Sequence, residues 1–172
     1  MYELNRYIDM DAQAINTRGY RDACKAQLRR EGVLKLDGFV HTETLQQLIT
    51  EADDAQGGAF YTVAKHNVYL TKPNSDLPQD HIFNRQLSTS KGCICTDQVP
   101  ENSPLMTIYN SAEFRSFIAA VVGEDALYPY ADPLSSVNVH YANEGQELNW
   151  HFDNSEFAIT LLLQSPKAGG GV

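Results

Sequence analysis

An α+β fold is the class this sequence predicts, and two observations predict it. Helix-forming segments crowd the first two-thirds of the chain, whereas alternating apolar runs fill its last third. Those runs are not separated by helices, as a doubly wound sheet would require, and no internal repeat suggests a solenoid. With 172 residues, 42% of them hydrophobic, the chain is expected to form one domain over 1–172. That domain divides into a helical and mixed region over 1–127 and a strand-rich region over 128–172.

Asp11 to Glu31 is rich in Ala, Gln, Arg and Lys and has no proline, which favours a helix closed by Gly32. Ile15, Tyr20, Ala23 and Leu28 form its apolar stripe. Val33 to Val40 reads as a short strand. Thr42 caps a second helix whose Leu45, Leu48, Ile49 and Ala52 recur at helical spacing. Gln56-Gly57-Gly58 then breaks the pattern, and Phe60 to Thr71 has the aromatic and β-branched content of one or two strands.

Lys72 to Asn102 carries mostly turn signals, among them Pro73, Asn74, Pro78, Gly92 and Pro100. A loop this long in a compact domain is often functional, for example as a lid. His66, His81 and Arg85 read as surface polar residues. Ser103-Pro104 starts a helix, and a further helix runs from Ala112 to Val122 with Ser111 as its cap and Gly123 as its stop. Phe114, Phe117, Ile118, Val121 and Val122 make its apolar face. Ser135 to Ala142 alternates, with Val137, Val139 and Tyr141 on one side and Asn138 and His140 on the other. Asn143-Glu144-Gly145 is a turn, and Phe157 to Leu163 is a strongly apolar strand.

The formal net charge of -9 leaves no basic stripe for phosphates, so nucleic acid and anionic membranes are excluded as partners. Cys24, Cys93 and Cys95 are odd in number, and the C-x-C spacing suits neither a disulfide nor a zinc knuckle, so they read as reduced thiols. The polar opening from Met1 to Met10 and the lack of any apolar run long enough to span a bilayer place the protein in the cytoplasm.

The chemistry concentrates in Asn149-Trp150-His151-Phe152-Asp153-Asn154. In an extended segment, side chains at i and i+2 share a face, so His151 and Asp153 can grip one metal ion. On spacing alone a solvated surface turn accounts for the pair at least as well.

Asn138-Val139-His140-Tyr141, His151-Phe152-Asp153, Phe157 to Gln164 and a Gly-rich turn at Gly169-Gly170-Gly171 together resemble the first core strands of the Fe(II)/2-oxoglutarate-dependent oxygenases. The layout is most similar to the branch that hydroxylates or halogenates small molecules such as free amino acids. The resemblance implies a cupin-like double-stranded β-helix, or jelly roll, with N-terminal helices packed on it. It implies Fe(II) held by His151 and Asp153, and 2-oxoglutarate whose decarboxylation to succinate drives hydrogen abstraction from a small-molecule substrate. Asn138, His140 and Thr160 become candidates for lining the cofactor, and Trp150 and Tyr141 for walling the pocket. Halogenating relatives carry Gly or Ala in place of the carboxylate ligand, so Asp153 points to hydroxylation.

Two departures from the family pattern accompany these matches. No His follows His151, and the last Arg is Arg115, so the second His ligand and the Arg that pairs with 2-oxoglutarate have no counterpart; Lys167 is a poor substitute. The expectation is therefore a truncated, inactive fragment, with missing C-terminal core strands and self-association through an exposed sheet. Two other readings stay open: a non-catalytic β-sandwich that binds a small molecule, and a cupin-like metal protein that uses His140 or His66 as the further ligand.

Overall fold

A computed structural model describes residues 3–166. It is mixed α/β, with four α-helices and a small antiparallel sheet among the described residues. Two compact units share the chain. One takes the chain up to Ala55 together with Cys95–Val137, and the other takes Gln56–Ile94 together with the chain from Asn138 onward.

The first unit holds the helices: α1 (Arg18–Glu31), α2 (Thr42–Ala55), α3 (Pro104–Asn110) and α4 (Ala112–Val122). Local signals set their ends. Ser103 and Ser111 accept hydrogen bonds from the Leu105 and Phe114 amides at the starts of α3 and α4. Gly32 and Gly123 close α1 and α4 in the left-handed conformation. Leu4, Ile8, Ile15, Cys24, Ile108, Phe117 and Val121 form the buried core. The stripe of α2 faces inward, with Leu48 and Ala52 buried and Leu45 and Ile49 half-buried. Burial pushes the Tyr20 hydroxyl up to about 12, with Cys24 beside it as a further cause, and raises the Cys24 thiol too. All three cysteines are free thiols.

Three expectations for this unit need correction. The helix anticipated from Asp11 starts only at Arg18. The Asp9 carboxylate accepts from the Ala12 amide, and buried Gln13 donates to the Asp37 carbonyl at 2.8 Å, so residues 11–17 serve as a core-facing turn instead. Ala23, placed on the buried stripe, is exposed, and Cys24 takes the inward position. Val33 to Val40 is not a strand. The Asp37-Gly38 turn, with Gly38 at φ +66°, interrupts it and leaves a single bridge between Val40 and Ile8.

The second unit contains β1 (Phe60–His66), β2 (Leu87–Ile94) and β3 (Val139–Tyr141), in the order β1-β2-β3 and antiparallel throughout. β1 pairs with β2 from Phe60↔Cys93 to His66↔Leu87, and β2 with β3 from Gly92↔Tyr141 to Ile94↔Val139. β2 lies inside the stretch expected to be all loop. Its Ser, Thr and Gly content hides it, and pairing with β1 decides its conformation. Gly92 fits where a larger residue does not, because a Cβ there would lie 2.6 Å from the Tyr61 ring. β3 is shorter than the expected Ser135 to Ala142, although the alternation holds, with Val137 buried and Asn138 and His140 exposed.

The apolar strand expected over 157–163 has no ladder partner among the described residues and is irregular. Ile159 and Leu162 are 58% and 71% exposed. The described residues thus hold one three-stranded antiparallel sheet, and the expected jelly roll, or cupin-like double-stranded β-helix, is not among them. Lys167 and the Gly169–Gly171 turn lie outside the described residues.

Residues 67–86, which join β1 to β2, are wound on two buried asparagines. The Asn67 side chain accepts from the amides of Tyr69 and Thr71, both at 3.1 Å, and holds Leu70 at φ +55° between them. Asn84 accepts from the Asn74 amide at 2.7 Å and donates to the carbonyls of Asn74, Leu77 and Pro78. Asn84→Ala leaves these groups unpaired in a site only 7% exposed, so stability in urea unfolding is expected to fall by about 2 kcal/mol. A loss within the scatter of surface substitutions would show that the loop does not depend on this side chain.

Candidate functional site

The segment around His151 is extended but belongs to no strand, and three contacts dock it on the second unit's sheet and loop. The Asn149 amide donates to Thr89 Oγ1 of β2 at 3.1 Å. Asn149 Nδ2 donates to the Ser88 carbonyl at 2.5 Å and to Glu147 Oε1 at 2.9 Å. The Phe152 amide donates to the Val68 carbonyl at 2.7 Å. Phe152 also stacks on Tyr69, which stacks in turn on Phe83, with centroids 5.6 and 5.2 Å apart. The start of the 67–86 loop thus meets the residue between His151 and Asp153 directly, and Phe83 near its end backs that contact through Tyr69.

The structure brings the two candidate ligands together. His151 Nε2 lies 3.4 Å from Asp153 Oδ1, while His151 Nδ1 lies 2.8 Å from the Asn149 carbonyl oxygen. A carbonyl only accepts, so Nδ1 carries a proton, and Nε2 faces the carboxylate: a second proton there makes an ion pair with Asp153, and in the neutral ring the Nε2 lone pair is the one turned toward it. In the neutral ring, two acceptors turned on each other favour a cation between them. Metal bonds of about 2.1 Å at right angles put two donor atoms about 3 Å apart, close to the observed spacing. The His151 and Asp153 side chains are 28% and 55% exposed, so an ion has access. Among the described residues no third His, Cys, Asp or Glu completes a metal-binding cluster with them.

His66, expected on the surface, is half-buried and packs edge-on against His151 with centroids 5.6 Å apart. Its Nδ1 lies 3.0 Å from the Asn67 carbonyl oxygen and its Nε2 2.7 Å from Thr89 Oγ1, so protein partners engage both nitrogens. Thr89 carries no sequence signal of its own. Its position opposite Ala64 in the β1–β2 register, two pairs from His66↔Leu87 and so on the same face of the sheet, places it there.

The remaining candidates sit elsewhere on this unit. His140, in the middle of β3, accepts from the Lys91 ammonium at Nδ1 over 3.2 Å. Asn138 lies just before β3, with its Oδ1 3.9 Å from Cys93 Sγ. Thr160 is exposed in the irregular segment, and among the described residues no hydrogen bond joins it to His151 or Asp153. Trp150 is 84% exposed and walls no pocket among the described residues, and Tyr141 is half-buried in β3.

A family model described as halogenase D matches residues 17–172. The chain belongs to the halogenase D family. No curated protein and no solved structure shows a significant match. The match takes in α1 to α4, the sheet and the His151-Phe152-Asp153 segment, so the family assignment and the paired side chains concern the same stretch of chain. No helix among the described residues of this halogenase D member is long and apolar enough to cross a membrane.

His140 has a pKa held below the ordinary 6.5, first by desolvation and then by the charge on Lys91. The folded chain therefore binds fewer protons there than the unfolded chain does. The stability that neutral His140 contributes is present above pH 6.5 and is lost as pH falls toward its depressed value. Lys91→Met should raise the His140 pKa part of the way back, since the larger cause remains. An NMR titration of the His140 ring measures this, and an unmoved midpoint would remove Lys91 as a cause.

Proposed function

We propose that this chain carries the metal-gripping element of an Fe(II)- and 2-oxoglutarate-dependent oxygenase that hydroxylates a small molecule such as a free amino acid. The observation that carries the reading is the approach of His151 Nε2 to Asp153 Oδ1, with the other ring nitrogen tied to a carbonyl. A neutral imidazole and a carboxylate are two of the three donors of the facial triad that holds Fe(II). A ligating histidine ordinarily gives its second N–H to an acceptor of this kind. Bound there, Fe(II) with 2-oxoglutarate would supply the oxidising power to break a C–H bond.

The chain's own residues have separable parts in this. His151 offers a fixed lone pair, and Asp153 offsets part of the metal's charge. Asp153 also stands where halogenating relatives of the resemblance carry Gly or Ala and admit chloride. Membership of the halogenase D family supports a halogenase-like enzyme class, and Asp153 argues for hydroxylation within it. On this reading the three-stranded sheet belongs to a jelly-roll core, and Asn138, His140 and Thr160 serve the 2-oxoglutarate side.

Without oxygen, the protein with Fe(II) and 2-oxoglutarate should show the visible charge-transfer absorption of the chelate, unaffected by added chloride. His151→Ala should lose it, and Asp153→Gly should make it chloride-sensitive. Wild-type protein that gives no band would contradict chelate formation by this chain. A chloride-dependent wild-type band would favour halogenation.

A further inference from the structure

We infer that the Thr89 hydroxyl is a positioning group for His151, acting through the main chain of Asn149. The hydrogen-bond directions follow from the partners. The Asn67 carbonyl accepts from His66 Nδ1–H, so in the neutral ring the His66 Nε2 lone pair accepts from the Thr89 hydroxyl. With its proton committed to His66, Thr89 Oγ1 accepts from the Asn149 amide. The carbonyl of that same residue then accepts from His151 Nδ1–H, which leaves Nε2 facing Asp153.

The chain thus runs from His66 through Thr89 and Asn149 to His151, and each link fixes the next. Thr89 is buried at 9% exposure, so water does not readily replace its hydroxyl. The Asn149 side chain, bonded to the Ser88 carbonyl and to Glu147, clamps the same residue from its other end. The edge-on packing of His66 against His151 limits rotation of the second ring. Such a device sets both the tautomer and the aim of one ring nitrogen.

Its value to a bound metal rests on the reading given under Proposed function; its effect on the His151 ring does not. Thr89→Val removes the hydroxyl at nearly constant volume, whereas Thr89→Ser keeps it. Nitrogen-edited NMR of the metal-free protein at one neutral pH reports the tautomer of each ring. Wild type and Thr89→Ser should show the proton on Nδ1 of both His66 and His151, and Thr89→Val should show mixed tautomers at His151. With Mn(II) as the probe, Thr89→Val should bind about 10- to 100-fold more weakly than wild type, and Thr89→Ser nearly as well as wild type.

A His66 or His151 ring protonated on Nε2 in wild type would overturn the inference without any variant, and covers the case in which Thr89→Val does not fold. So would a Thr89→Val protein with an unchanged His151 tautomer. Tautomers that respond as stated in a wild-type protein that binds no Mn(II) would uphold the positioning role and remove the metal reading instead.

Discussion

The hydrogen bond from His151 Nδ1 to the Asn149 carbonyl is the constraint on which the candidate site depends. Without it the ring is free to present either nitrogen, and the approach to Asp153 has no fixed chemical meaning. With it, one defined ring nitrogen and one carboxylate oxygen converge. That bond is only as firm as Asn149, whose amide and side chain are tied to Thr89, Ser88 and Glu147. Among the described residues the last strand ends at Tyr141, yet the irregular segment is held to the sheet beside His151.

The long connection between β1 and β2 has a related part. Its conformation is set by Asn67 and Asn84, two buried amides that replace backbone ladders as partners for turn amides and carbonyls. A loop built this way is stiffer than its turn-rich composition suggests, since breaking either asparagine leaves several buried groups unpaired. It ends in the stack of Phe83, Tyr69 and Phe152, which fixes the residue between His151 and Asp153.

What the sequence made legible was local. α4 could be read from Ser111, Gly123 and a stripe of apolar residues, because caps and periodicity act within a few residues. The His151 and Asp153 pairing was legible for the same reason, as a spacing of two in extended chain. Long-range features were hidden. β2 has a composition that signals turns, and only its register against β1 makes it a strand. Thr89 and Asn149 are far apart in the chain, so no motif could have joined them, and His66 read as a surface residue until that register placed it beside His151. Residues 33–40 and 157–163 misled in the opposite sense. Apolar content alone does not make a strand where a turn intervenes or no neighbouring strand completes the ladder.

Membership of the halogenase D family and an Asp at position 153 together frame the chemical question. A carboxylate beside the imidazole would change both the charge at a bound metal and the room left for an anion, which is why Asp153 bears on the proposed choice of hydroxylation over halogenation. Anomalous X-ray scattering from crystals grown with Mn(II) tests the central claim most directly. The account predicts a single strong peak bonded to both His151 Nε2 and an Asp153 carboxylate oxygen, with Nδ1 still on the Asn149 carbonyl. A peak elsewhere, or a His151 ring turned away from Asp153 with no metal beside it, would contradict it.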